Sequence, residues 1–226
     1  SRNMFLAFLD KDMGALEEAY LQQKNDPSSS RDTKATYYRF RYDLGDTSAL
    51  ELLLEMEELD DVGIGPSIYL SHIYMKLRAF DNAQRHASKA HEKARTKDEK
   101  SDAISLQSDV LESQGNLEGA LANLFKGIRE DRLDAPHKAR LLIETANVLE
   151  TMDRKERAAM SLEAALLHSP TDHDTRFKLA YLYSELGRRG DNYLSYYHYR
   201  ILVNNDPKHH FAWNNFGAIL HELGTK

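Results

Sequence analysis

The chain has 226 residues, 41% hydrophobic and 29% charged, which is enough apolar material for a substantial core. A formal net charge of -6 argues against general nucleic-acid binding, and the lack of cysteine excludes disulfides, thiol catalysis and cysteine-type zinc sites. No run approaches the roughly eighteen apolar residues that cross a bilayer, and Ser1-Arg2-Asn3-Met4 has no signal-peptide layout. A soluble chain is expected, cytoplasmic in the first instance, with the periplasm equally compatible with the absence of cysteine.

Proline and glycine are sparse and fall between stretches of helical spacing, and β-branched residues never alternate, so an all-α fold is predicted. In chain order, a truncated helical hairpin carries Ala15, Ala19 and Pro27. A second hairpin spans Tyr37 to Met56, with Phe40, Ala49, Leu53 and Met56 inside. The next places Leu70-Ser71, Tyr74 and Ala83 where two helices touch, and Ala87 and Ala90 continue its second helix. In "GNLEGAL", a helix ends at Gly115, a short turn follows, and Ala120 is the small residue on the tight side of the next helix. Thr145-Ala146, Leu149 and Ala158 repeat that order, with Leu162 and Ala165 behind them. Leu179-Ala180, Tyr183 and Gly187 repeat it again. After Gly187, "RRGDN" is expected to lengthen the turn, the helical phase returning at Ser195, Tyr199 and Leu202, and Pro170 and Pro207 close their units. Equivalent positions lie 38 apart from Ile104 to Leu142, 34 from Leu142 to Arg176 and 37 from Arg176 to Trp213. The excess of three or four residues is expected in turns.

The last segment, "AWNNFGAILHELG", sets Trp213 before Phe216, Gly217, Leu220 and Gly224. It resembles the first helix of a tetratricopeptide repeat: a large residue, a large-small pair three and four later, an aromatic or leucine, then a turn glycine. The resemblance covers nearly the whole chain, with residues 1–62 degenerate. It implies a right-handed α-solenoid of antiparallel helix pairs: one domain over 1–226, of about six units plus a terminal unpaired helix, cut from a longer chain. A generic antiparallel bundle is the alternative, and it has no reason to keep one large-small order near a 34-residue interval.

In proteins of that type first helices line the concave side. Projected onto this chain, the resemblance gives a groove that begins basic and aromatic with Arg31, Lys34, Tyr38, Arg41, Tyr69, His72 and Lys76. It turns acidic with Asp102, Asp109, Glu112, Glu144, Asn147 and Glu150, and ends mixed with Lys178, Tyr181, Asn214 and Asn215. A charge-patterned peptide or protein segment would suit it. The asparagine-lysine clamp with which some relatives hold chaperone tails is not reproduced, because Tyr38 stands where an asparagine is needed.

Other chemistry finds little footing. Of ten histidines, the closest groupings are His86 with His91, His168 with His173, and His209-His210. Residues five apart do not share a helix face, so surface and capping roles are expected and no metal site. Glu17-Glu18, Glu57-Glu58 and Asp60-Asp61 read as solvated helix faces. There is no phosphate loop and no nucleophile elbow. "DKDMGALEE" from Asp10 lacks the alternating oxygen ligands of a calcium loop, and "RGD" at Arg189 to Asp191 reads as an inter-helix turn. Tyr193, Tyr196 and Tyr197 share a stripe read as packing, not as a site. The expected function is therefore a non-catalytic scaffold without cofactors, catalytic residues or metal, whose partner is a protein and not nucleic acid or membrane. The rival is a regulatory or assembly segment of a larger multidomain protein, and a third reading is self-association through the C-terminal helix near Phe211, Trp213 and Phe216.

Overall fold

The computed structural model describes residues 2–24, 31–59 and 62–224, with Arg31 and Asp32 described in backbone alone. Pro27, the Arg31 side chain and the Asp60-Asp61 pair lie outside the described residues. Within them the chain is helical, without strands, and divides into two compact units, Ser1–Asn116 and Leu117–Lys226.

The first unit contains α1 (Arg2–Leu9), α2 (Met13–Lys24), α3 (Arg31–Asp43), α4 (Ala49–Glu57), α5 (Gly65–Lys76), α6 (Phe80–Lys93) and α7 (Lys97–Ser113). The second contains α8 (Leu117–Ile128), α9 (Ala135–Thr151), α10 (Lys155–His168), α11 (His173–Leu186), α12 (Arg189–Asn205) and α13 (His210–Glu222). Odd-numbered helices come first in each hairpin. Within a unit each helix packs on its sequence neighbour, and first helices also touch one another, as α3 does α5, α5 does α7 and α11 does α13.

One turn closes the first helix of five successive hairpins. The chain steps into the left-handed region at Lys11, Gly45, Arg78, Gly115 and Asp153, and the next amide reaches back five residues. Asp12 donates to Ala7 at 3.0 Å, Asp46 to Arg41 at 3.0 Å and Ala79 to Tyr74 at 2.9 Å. Asn116 donates to Leu111 and Arg154 to Leu149, both at 2.8 Å. These bonds satisfy carbonyls that the helix end would leave bare. Five residues beyond Arg78, Gly115 and Asp153 stand Ala83, Ala120 and Ala158, all fully buried, and inside the units Ala83 and Ala158 lie on helices that pack against the one before, α6 on α5 and α10 on α9. In α12 the corresponding place holds Asn192, buried, with its amide donating to Glu222 of α13 at 3.2 Å.

The extra residues of the 37-residue repeat lie in a helix, contrary to the expectation that they lengthen the turn after Gly187, and those of the 38-residue repeat are shared between α9 and the connection before it, residues 129–134. α12 has 17 residues where α10 has 14, and α9 has 17 where α11 has 14. Three or four residues make about one helical turn, so the apolar face stays in phase. Arg189-Gly190-Asp191 accordingly forms the first turn of α12, with Asp191 accepting from Arg188 at 2.5 Å.

The cores are layered. Met4, Ala7, Leu16, Ala19 and Tyr37 form one cluster of the first unit. A second joins Ala35, Leu53, Met56, Val62, Leu70 and Ile73, and a third Ile64 with alanines of α6 and Leu106 and Val110 of α7. In the second unit Ala180, Tyr199, Leu202, Val203, Ala212, Phe216 and Ile219 gather between α11, α12 and α13. Each layer borrows side chains from the next hairpin, which is how repeats without a core of their own become stable.

Candidate functional site

The first-helix face of the first unit is built on α3, α5 and α7. Successive helical turns of α3 place Lys34 over the Tyr38 ring at 5.6 Å and Arg41 over Tyr37 at 5.5 Å. Arg41 also donates through Nε to Asp46 at 2.7 Å, so its charge is already answered within the turn after α3. Two residues that sequence reasoning passed over organise the rest. Arg39 bonds Asp43 at 2.7 Å and lies over the Tyr69 ring at 5.9 Å, and Lys76 of α5 reaches the other oxygen of Asp43 at 3.1 Å. Burial alone would raise the Asp43 pKa, but the hydrogen bonds from Arg39 and Lys76 outweigh it and hold the carboxyl below its usual range. Tyr69 shares a hydrogen bond with Thr36 at 3.0 Å. Half-buried His72 is pushed down by desolvation and by Arg39 and Lys76, so its imidazole is neutral at pH 7. The signal for Arg39 and Asp43 was present in their i, i+4 spacing.

The carboxylates of α7 differ. Asp109 is exposed, yet enough protein surrounds its carboxyl to raise its pKa by desolvation. Glu112 is raised by desolvation and then by the Asp109 charge. Neither side chain has an ion-pair partner among the described residues.

In the second unit the face is built on α9, α11 and α13. Lys178 of α11 reaches across to α9, pairing with Glu150 at 2.6 Å and donating to the side-chain oxygen of Asn147. Glu144 lies 3.9 Å from Arg140 on its own helix. Tyr181 is 49% exposed, and Asn214 is exposed on α13. Asn215 turns inward and donates to the hydroxyl of buried Tyr199 at 3.0 Å, whose pKa burial pushes up to about 12. The residues predicted from sequence to line a groove thus lie on first helices of both units, and most of the cations among them are neutralised by the chain itself.

Several sequence readings are corrected here. Glu57 does not lie on a solvated face: it is 1% exposed, and both its oxygens face Nδ1 of buried His86, at 2.8 and 2.9 Å, with Lys89 donating at 3.0 Å. His86 is accordingly no surface histidine, and Tyr74 stacks on its ring. His198 is also buried, its pKa pushed down to about 4 by desolvation and by Arg176. His209 does cap a helix, accepting from the Ala212 amide at 3.1 Å, and Glu17 and Glu18 are exposed as expected. Asp12, from the rejected calcium pattern, accepts from the Ala15 amide at 2.9 Å at the start of α2. Among the α12 tyrosines, Tyr193 and Tyr197 are exposed, Tyr196 packs on Phe216, and Tyr199 carries the burial. Phe211 and Trp213 are exposed on α13, but Phe216 is core.

No known protein family and no curated protein matches the sequence. Solved structures do match. A chain of the Cut9-Hcn1 hetero-tetramer of the APC/C superposes with a TM-score of 0.55 at 12% identity, over 97% of this chain and 46% of that one. MamA superposes at 0.52 with 17% identity, over 71% and 82%. YrrB, described as a TPR protein with an unusual peptide-binding site, superposes at 0.50 with 14% identity, over 90% and 98%. The fold is tetratricopeptide-like. The helix pairs and the contacts between first helices are those of that fold, at sequence identities of 12–17%. No helix among the described residues is long and apolar enough to cross a membrane.

Proposed function

We propose that the chain is a non-catalytic interaction scaffold whose first-helix faces hold a peptide or protein segment. One observation carries the reading: along those faces the cations are answered internally, whereas Asp109 and Glu112 share a position without a counter-charge and with raised pKa values. Two desolvated carboxylates side by side are costly unless a cation arrives, so the partner presents a lysine or arginine to α7. Tyr38 and Tyr181, amphipathic and on the same faces, supply contact area, and Asn147 and Asn214 supply exposed amides. That the two units act as one repeat domain belongs to the same proposal. A photo-crosslinking amino acid at Tyr38 or at Tyr181 should label the partner, while the same group at Glu92 or Arg200, exposed on second helices, should not. Labelling from the second helices alone would overturn the assignment.

A regulatory or assembly segment within a larger protein is the second reading, favoured by the Cut9-Hcn1 chain, of which this fold makes up less than half. Self-association through α13 is favoured by Phe211, 76% exposed. Light scattering on Phe211→Ser separates it: an unchanged mass rejects the idea.

A further inference from the structure

The second unit carries another recess, walled by the second helices α8 and α10, with α9 beneath them. α8, α9 and α10 enclose an open groove of about 610 Å³. Leu121 and Phe125 of α8 form one wall, Leu142 and Leu149 of α9 the floor, and Met160 and Ala164 of α10 the other wall. The wall residues stand four positions apart, Leu121 with Phe125 and Met160 with Ala164, so each helix turns one stripe into the groove. Phe125 is 42% exposed and Met160 66%, and the α10 stripe continues to Leu167 at 83%. Single exposed apolar side chains need no account, but a concave row of them does.

The polar groups lie at one end. Glu118 of α8 and Arg154, just before α10, close on each other at 2.6 Å and cancel. Arg157, in the first turn of α10, is exposed and has no ion-pair partner among the described residues. Ser161, the remaining polar lining residue, already donates to the Arg157 carbonyl at 3.2 Å. The apolar walls thus offer nothing to the backbone amides and carbonyls of an extended peptide. A ligand lying here must satisfy its own backbone, which a helix does.

We propose that this groove docks an amphipathic helix of a partner protein. Large apolar side chains spaced three and four apart lie against Phe125, Met160 and Ala164, and an acidic side chain at one end pairs with Arg157. The stripe from Arg157 to Leu167 covers roughly 15 Å at 1.5 Å per residue, about three turns of such a helix. The groove volume lies within the usual range of ligand sites of roughly 300–1,000 Å³.

The test uses the full chain and a displayed library of random dodecapeptides, with affinities of selected peptides read by fluorescence anisotropy. Selected peptides should carry apolar residues at helical spacing with an Asp or Glu at one end. Met160→Glu and Arg157→Glu should each weaken them by about tenfold or more, the second less so at high salt. Both positions are exposed, and unchanged circular dichroism confirms that the variants fold. Recovery of no peptide sensitive to Met160→Glu would overturn the proposal. So would a wild-type dimer in sedimentation that Met160→Glu dissociates, because the occupant would then be a second copy. Loss of the partner contacts at Tyr38 and Tyr181 would leave this groove unaffected, so the two assignments fail separately.

Discussion

At the scale of single residues, the energetically demanding group is Glu57. A buried carboxylate is tolerated only when paired and hydrogen-bonded, and here His86 and Lys89 answer it. Glu57→Gln leaves the imidazole and ammonium facing an amide and should destabilise the fold by about 3 kcal/mol in urea unfolding. Burial would raise the Glu57 pKa, but its hydrogen bonds hold it below the ordinary value. Its contribution is therefore complete above the unfolded pKa and lost as pH falls through the folded one, and Glu57→Gln should flatten that acid limb. His198 adds a second window. Its folded pKa of about 4 lies below the ordinary 6.5, so the unfolded chain takes up the proton first, and stability falls between those two values as pH drops. A His198→Phe variant should lose that slope in the same titration. Asp109 behaves oppositely: its raised pKa means that ionisation opposes folding. Asp109→Asn should raise the melting temperature slightly at pH 7 while weakening the partner, and a variant that does neither would remove the acidic contact from the proposal.

At the scale of elements, what repeats is a backbone turn more than a residue. Gly45 and Gly115 adopt the left-handed conformation without strain, but Lys11, Arg78 and Asp153 adopt it with a Cβ, which costs about 1 kcal/mol each. Asp153→Gly relieves that strain at an exposed position and should stabilise the second unit in denaturant unfolding by about 0.5 kcal/mol at most, since glycine also loses more chain entropy on folding. A loss of stability would mean that the carboxylate does more than occupy the turn. Because sequence reading looks for glycine there, it recognised the hairpin at Gly115 and had no such marker at Arg78 or Asp153. The register of α9 and α12 shows the complementary limit: insertions of about one helical turn leave periodicity unbroken, so nothing in the spacing tells a longer helix from a longer turn.

At the scale of the whole molecule, contacts are local, running between neighbouring hairpins inside each unit, so stability is a sum of hairpins and their interfaces. Trp213, the single tryptophan, reports on the second unit alone. Leu53→Ala, which empties a fully buried site of the first unit, should cost about 2–5 kcal/mol there. The far-UV dichroism midpoint should then fall while the Trp213 fluorescence midpoint moves less. Coincident shifts would show that the two units unfold as one.

Helical class, the hairpin order from Leu70 onward and the small residues at helix crossings were legible in the sequence, because spacing of three and four and alanine at a close approach are local requirements. Lys34, Tyr38, Lys178 and Tyr181 were projected onto a groove from the tetratricopeptide resemblance, and the structure places them on α3 and α11. Only the tertiary structure decided which charges are spent within the chain, since Lys178 meets Glu150 and Lys76 meets Asp43 across about thirty residues of sequence. It alone revealed the Glu57–His86 pair and the groove between α8 and α10. Whether a side chain is buried, paired or left open depends on what a neighbouring helix sets against it, and periodicity within one helix carries no record of that neighbour.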